Sequence, residues 1–85
     1  MQKFMAINDD FIKVFTLVFD ITPDKINIDL TQNDVMKWDS LSQMHLIVAL
    51  EEAFNIKLEL EEIVTMNSVK AISDVLMKKG VNIIC

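Results

Sequence analysis

The chain has 85 residues, of which 52% are hydrophobic, and it contains one Gly, one Pro and one Cys. This length predicts one domain with a single modest core, and the scarcity of turn residues favours long helices over a sheet. The net charge of −5 disfavours nucleic acid as a partner and favours basic protein surfaces, while a single Cys excludes an internal disulfide framework and a cysteine-based zinc site.

No stretch is long and apolar enough to span a bilayer, and the apolar run that begins at Phe4 ends at Asn8, too early for a signal peptide. We therefore expect a cytoplasmic, monomeric protein that forms one domain over residues 1–85. Residues 1–7 are expected to form either a frayed tail or a first turn added to the first helix. Residues 81–85 are expected to form an apolar tail, whose docking the sequence leaves open, and Cys85 is expected to be an incidental free thiol.

The first helix is predicted over residues 9–20, with Asn8 as its N-cap and aromatic residues recurring at helical spacing. Pro23 disfavours helix, and a long loop follows to about Asp39. Ile26, Ile28 and Leu30 alternate with polar residues in this loop. Because no second strand is available to pair with them, we expect these side chains to pin the loop to a helical bundle. Residues 31–36 are expected to form one short helical turn capped by Thr31.

The second helix is predicted over residues 40–54, with Asp39 as its N-cap and Ser40 near the positive end of the helix dipole. Two apolar faces share this helix. One carries Gln43, Leu46, Ile47, Leu50 and Phe54, and the other carries Leu41, Met44 and Val48, flanked by His45 and Glu52. A surface helix usually has one apolar stripe, so this helix is either buried on all sides or exposes its second face to partners. In so small a domain, the second interpretation is favoured.

A short third helix is predicted over residues 59–65, with Leu58, Ile63 and Met66 facing inward and Glu59, Glu61 and Glu62 facing outward. The fourth helix is predicted over residues 68–79, capped by Asn67 or Ser68 and stopped at Gly80. Its expected inward residues are Val69, Ile72, Val75 and Leu76. The predicted fold class is therefore an all-α four-helix bundle with a short third helix and a long loop between the first two helices.

Asp39, Ser40 and His45 are the residue types of a nucleophilic triad, but their spacing disfavours catalysis. Ser40 and His45 are five residues apart on one helix, so their side chains diverge by roughly 140° and share no hydrogen bond. A calcium loop beginning at Asp20 is also disfavoured, because Lys25 occupies the position that requires Gly. We expect neither an enzyme nor a metal site.

Asp39-Ser40-Leu41 begins the second helix, Leu46 to Phe54 reads Leu-Ile-Val-Ala-Leu-Glu-Glu-Ala-Phe, acids follow at 59–62, and Ser68-Val69 begins the last helix. This order over residues 11–76 resembles the acyl carrier protein family of phosphopantetheine-binding carriers. The resemblance implies that Ser40 accepts a 4′-phosphopantetheine arm from coenzyme A, with Asp39 as the cap recognised by the phosphopantetheinyl transferase. The arm would hold acyl groups as thioesters and present them to acyl-loading and acyl-transfer enzymes with basic docking surfaces.

The resemblance also assigns surfaces to the two apolar faces. The implied partner-binding residues are Leu41, Met44, Val48, Glu51 and Glu52. The implied lining of an acyl pocket is Leu46, Ile47, Leu50, Leu58, Ile63 and Met66, which an ordinary core would use equally well.

Lys37-Trp38 precedes the Asp-Ser-Leu motif, where fatty-acid carriers commonly have a small pair such as Gly-Ala. This departure is more similar to specialised carriers, such as those of secondary-metabolite biosynthesis, than to the housekeeping carrier of fatty acid biosynthesis. Two alternatives stay open, an aminoacyl or peptidyl carrier and an unmodified helical protein-interaction domain. The sequence does not say whether Trp38 packs on the loop or touches the arm, nor what His45 does.

Overall fold

The computed structural model describes residues 7–84, which form four α-helices and two 3₁₀ turns. The helices are α1 (Asp9–Phe19), α2 (Ser40–Phe54), α3 (Leu60–Ile63) and α4 (Val69–Lys78), and the turns lie at Pro23–Lys25 and Gln32–Asp34. Within this part of the chain, β-pairing is limited to isolated bridges, so the predicted all-α class and the long loop between α1 and α2 are confirmed. No helix in 7–84 has the length and apolar character needed to cross a membrane. The predicted tail at 1–7, apart from Ile7, and Cys85 lie outside the described residues.

The ends of the longer helices are set by local side-chain and backbone signals. Each predicted N-cap accepts a hydrogen bond from the first turn of its helix. These caps are Asn8 for α1, Asp39 for α2 and Ser68 for α4. α1 ends one residue earlier than predicted, because Asp20 adopts a left-handed φ of 56°. α4 ends before Gly80, whose φ of 87° suits a residue without a Cβ and confirms the predicted stop.

The core is built around α1, which packs against α2. Phe11, Phe15 and Phe19 follow one another along α1, with ring centroids 4.8 and 5.0 Å apart. Trp38 contacts Phe15 and Phe19 at 5.4 and 4.9 Å and is only 3% exposed. The position of Trp38, which the sequence left open, is therefore in the core, beside the aromatic rings of α1.

The long loop is pinned to the bundle as predicted. Ile26 and Leu30 are buried, and Ile28 is half-buried against the core. The Leu30 carbonyl accepts the Val69 N–H at 2.9 Å, which ties the loop to the start of α4. Thr31 is the N-cap residue of the second 3₁₀ turn, as predicted, and its N–H and Oγ1 both donate to Asp34 Oδ2. The turn is shorter than the predicted range of 31–36. Buried apolar side chains and a backbone hydrogen bond therefore both hold the loop that leads to α2.

α3 is shorter than the predicted range of 59–65. The surroundings of one of its acidic residues also differ from the prediction. Glu62, which was predicted to face outward, is half-buried. Its Oε1 accepts the Glu59 N–H at 2.9 Å and pairs with Lys79 Nζ at 2.9 Å. The prediction for Glu62 is therefore wrong, because the end of α4 brings an ammonium group against α3.

The C-terminal segment, whose docking the sequence left open, lies against the start of α1. Ile83 is 0% exposed, and its carbonyl accepts the Asn8 N–H at 2.7 Å. Ile7 and Ile84 form an isolated antiparallel bridge beside this hydrogen bond. The apolar residues of this segment, Val81, Ile83 and Ile84, consequently contribute to the core.

Candidate functional site

Ser40 is the first residue of α2 and is exposed. Asp39 precedes it in an extended conformation, and its Oδ1 accepts the Ser42 N–H at 2.9 Å. This hydrogen bond lowers the pKa of the Asp39 carboxyl group below its ordinary value, so the cap is ionised at neutral pH. Among the described residues outside the helices, the Ser40 N–H donates to no backbone carbonyl, whereas the Leu41 N–H interacts with the Asp39 carboxylate. The start of α2 therefore offers an exposed hydroxyl beside the Ser40 N–H at the positive end of the helix dipole.

A partly buried polar network holds the chain on both sides of Ser40. The Trp38 Nε1–H donates to Gln43 Oε1 at 2.6 Å. The Gln43 Nε2 donates in turn to the carbonyls of Ile63 at 3.2 Å and Met66 at 3.1 Å. One glutamine thus connects the segment before α2 with the end of α3. From the sequence, Gln43 was predicted only as a member of the core-facing side of α2.

A cavity of about 370 Å³ opens beside Ser40, between α2 and the segment that follows α3. Its lining combines side-chain amides with apolar groups. The lining residues are Gln32, Ser40, Gln43, Met44, Ile63, Val64, Met66 and Asn67.

Of the six residues predicted to line an acyl pocket, Ile63 and Met66 line this cavity. The other four are buried within the packed core and are not part of its lining. They are Leu46, Ile47, Leu50 and Leu58. The sequence pattern identified these residues as apolar and inward but carried no information on where the core leaves space. Gln32, Val64 and Asn67 were missed because their roles depend on how the loop and α3 meet α2.

The second apolar face of α2 is exposed, and α2 is therefore not buried on all sides. Leu41, Met44 and Val48 are 67%, 55% and 51% exposed. His45 and Glu52 are exposed beside them, as predicted. We call Leu41, Met44 and Val48 the α2 apolar face. It meets the cavity at Met44, and the 70% exposed Val64 lies on the cavity's other side, so the exposed apolar surface extends from α2 to α3.

Glu51 differs from the other residues predicted to bind partners, because it is half-buried. Its Oε2 accepts the Leu58 N–H at 2.9 Å. This contact holds the connector after α2 against the helix. Glu51 therefore has a structural contact that Glu52 lacks among the described residues.

These features define a small all-α domain that displays an exposed serine at a capped helix start, with no hydrogen bond from that hydroxyl to a base in residues 7–84. Residues 9–76 match the family model described as the phosphopantetheine attachment site. Because the match covers most of the chain, the protein belongs to the acyl carrier protein family of phosphopantetheine-binding carriers. The comparison with curated proteins found no match.

Membership of this family defines the protein in general terms. Its members carry a covalently attached 4′-phosphopantetheine group and are not themselves catalytic, so the chain is a carrier protein and not an enzyme. Carrier domains work with a phosphopantetheinyl transferase and with acyl-handling enzymes.

Proposed function

We propose that Ser40 is the attachment site of the 4′-phosphopantetheine group and that the protein is an acyl carrier of a specialised pathway. The observation that supports this proposal is the exposure of Ser40 at the start of the capped helix α2, at the edge of the cavity. When attached, the group supplies a thiol that holds acyl groups as thioesters.

The residues around Ser40 suit such a group. The Ser40 N–H and the positive end of the helix dipole favour a phosphate at this position. Asp39 fixes the geometry of this first turn through its hydrogen bond to the Ser42 N–H. The side-chain amides of Gln32 and Asn67 line the cavity with donors and acceptors for the amide groups of the arm.

The apolar part of the cavity favours an acyl cargo. Met44, Ile63, Val64 and Met66 line the cavity alongside the amides, and they suit the hydrocarbon part of an acyl group. The specialised role rests on the Lys37-Trp38 pair before the Asp-Ser-Leu motif. An aminoacyl or peptidyl cargo is the alternative, since it would attach through the same chemistry.

Partner enzymes are proposed to dock on the α2 apolar face and on Glu52 beside it. An exposed apolar patch next to an acid on a chain of net charge −5 suits enzymes whose docking surfaces combine apolar and basic residues. Glu51 lies on the same side of the helix, but its carboxylate is already engaged with the Leu58 N–H. We therefore assign the electrostatic part of docking to Glu52.

Attachment is tested by intact-mass measurement after incubation with coenzyme A and a phosphopantetheinyl transferase of broad specificity. We expect one phosphopantetheine adduct on the wild type and none on Ser40→Ala. Ser42→Ala is the matched control, since it removes a hydroxyl from the same turn of α2, and it should be modified like the wild type. An unmodified wild type would instead support a helical interaction domain.

The cargo is tested on the modified protein with two kinds of loading enzyme, one that activates fatty acids and one that activates amino acids, each supplied with ATP. Intact mass then identifies the thioester formed. Loading with an acyl group supports the proposal. Loading with amino acids alone would replace it with the aminoacyl carrier.

A further inference from the structure

Gln43 is the polar residue on the core-facing side of α2, and both ends of its amide are engaged. Its Oε1 accepts the Trp38 indole N–H, and its Nε2 donates to two backbone carbonyls. The other members of that side are Leu46, Ile47, Leu50 and Phe54. A half-buried amide at this place satisfies polar groups that would otherwise lack partners in an apolar environment.

The location of this amide relates it to Ser40. Gln43 lies three residues after Ser40, nearly one turn along α2, and both line the cavity. The carbonyls that Gln43 binds belong to Ile63 and Met66, which line the cavity from the other side. The Gln43 amide therefore ties the two walls of the cavity together.

The cavity ends at the packed core. Met66 is 1% exposed, and Leu46, one turn beyond Gln43 on α2, is 0% exposed. A hydrocarbon chain that entered the bundle from Ser40 would have to separate these walls. The Gln43 amide would then withdraw from two carbonyls and from the indole N–H, which would leave several polar groups unpaired around an apolar chain.

We propose that Gln43 is a latch that determines which cargo the bundle shelters. The latch keeps the core closed, so that the protein holds a short or polar acyl group at the mouth of the cavity and leaves a long hydrocarbon chain unprotected. This inference rests on the proposed attachment at Ser40. It adds a specificity-determining residue to that proposal, acting through the positions of α3 and Trp38.

The latch is tested first on the unmodified protein, because Trp38 is the only tryptophan of the chain and its indole N–H gives a single NMR resonance. We expect Gln43→Met to shift this resonance and to speed the hydrogen exchange of the indole and of the backbone amides in residues 60–66. Asn33→Met is the matched control. It removes an exposed side-chain amide that is not part of the cavity lining, so the indole should stay protected. An indole that exchanges freely in the wild type would overturn the latch, whether or not the variants fold.

The second test uses the protein modified with acetyl, octanoyl and hexadecanoyl phosphopantetheine, transferred from the corresponding coenzyme A thioesters. Cleavage of each thioester by hydroxylamine measures how far the cargo is sheltered. In the wild type we expect equal cleavage rates for the three groups and an unchanged indole resonance. In Gln43→Met we expect octanoyl cleavage to become several-fold slower than acetyl cleavage, while Asn33→Met behaves like the wild type.

The proposal would be overturned if the wild-type protein already slowed the cleavage of the octanoyl thioester and its indole resonance moved when the octanoyl group was attached. Equal rates for all lengths in Gln43→Met would overturn it too. Failure to attach any of the groups is seen directly by intact mass and counts against Ser40 as the attachment site. The indole measurement on the unmodified protein then tests the proposed role of Gln43 independently of attachment.

Discussion

Glu51 and Glu52 are neighbours on α2, but the same substitution is expected to affect them differently. Glu51→Lys and Glu52→Lys each change the net charge equally. Glu51 is half-buried and accepts the Leu58 N–H at 2.9 Å, whereas Glu52 is exposed. We therefore expect Glu51→Lys to destabilise the fold and Glu52→Lys to weaken docking to basic partners.

The magnitude follows from the Leu58 contact. A hydrogen bond to a charged group contributes about 1.5–3 kcal/mol, and partial exposure of Glu51 brings the expected loss of unfolding free energy to about 1–2 kcal/mol. For a domain of this size, each kcal/mol lowers Tm by about 4–8 °C, so Glu51→Lys should melt about 5–15 °C below the wild type. Glu52→Lys should stay within about 0.5 kcal/mol of the wild type, as surface substitutions usually do.

Thermal unfolding followed by circular dichroism measures the first effect, and the rate of phosphopantetheine transfer measures the second. Glu52→Lys should slow transfer most at low salt, because salt screens exposed charges. Asp29→Lys, which makes the same charge change on an exposed loop residue, should have a smaller effect. Equal melting temperatures for the two glutamate variants would refute the role assigned to the Leu58 contact. Equal transfer rates for Glu52→Lys and the wild type at low salt would refute electrostatic docking.

Three further substitutions test the fold and the cap. Ile83→Ala should cost about 2–5 kcal/mol in a urea titration, because it empties a fully buried site, whereas Met77→Ala on the surface should cost little. Hydrogen bonding by Lys79 lowers the pKa of the Glu62 carboxyl group in the folded protein. The ionised Glu62 therefore contributes its full stabilisation above the pKa that the group has in the unfolded chain, and this stabilisation is lost as the pH falls below about 4. Glu62→Gln should therefore flatten the acid side of the pH–stability curve, and an unchanged curve would contradict this. Asp39→Asn should keep Tm, since Asn caps helices well, but slow phosphopantetheine transfer; an unchanged rate would limit Asp39 to capping.

The starts of the three longer helices were predictable because the signals for them are local. Asn8, Asp39 and Ser68 each cap the helix that begins at the next residue, and each accepts an N–H within three residues along the chain. The stop after α4 is likewise a local signal, since it depends on the positive φ of Gly80 itself. The two faces of α2 were also predictable, because the helical period alone separates them.

The contacts that were not predicted join distant parts of the chain. Lys79 pairs with Glu62, and the Ile83 carbonyl accepts the Asn8 N–H. Three acids of the α3 segment have the same local character in sequence, and only the position of the end of α4 selects Glu62 for an ion pair. The candidate site follows the same pattern. Asp39 and Ser40 were found from local signals, whereas the bridge from Gln43 to α3 depends on tertiary packing.

The position of Ser40 depends on neighbours that are fixed by packing or hydrogen bonds on either side of it. Trp38 is 3% exposed two residues before Ser40, and Gln43 is bonded to the end of α3 three residues after it. The only histidine of the chain, His45, is exposed further along α2. A serine that activates itself needs a base within hydrogen-bond reach, whereas a serine modified by another enzyme needs exposure and a fixed position. The packing around Ser40 meets the second requirement, which favours a residue that a transferase modifies.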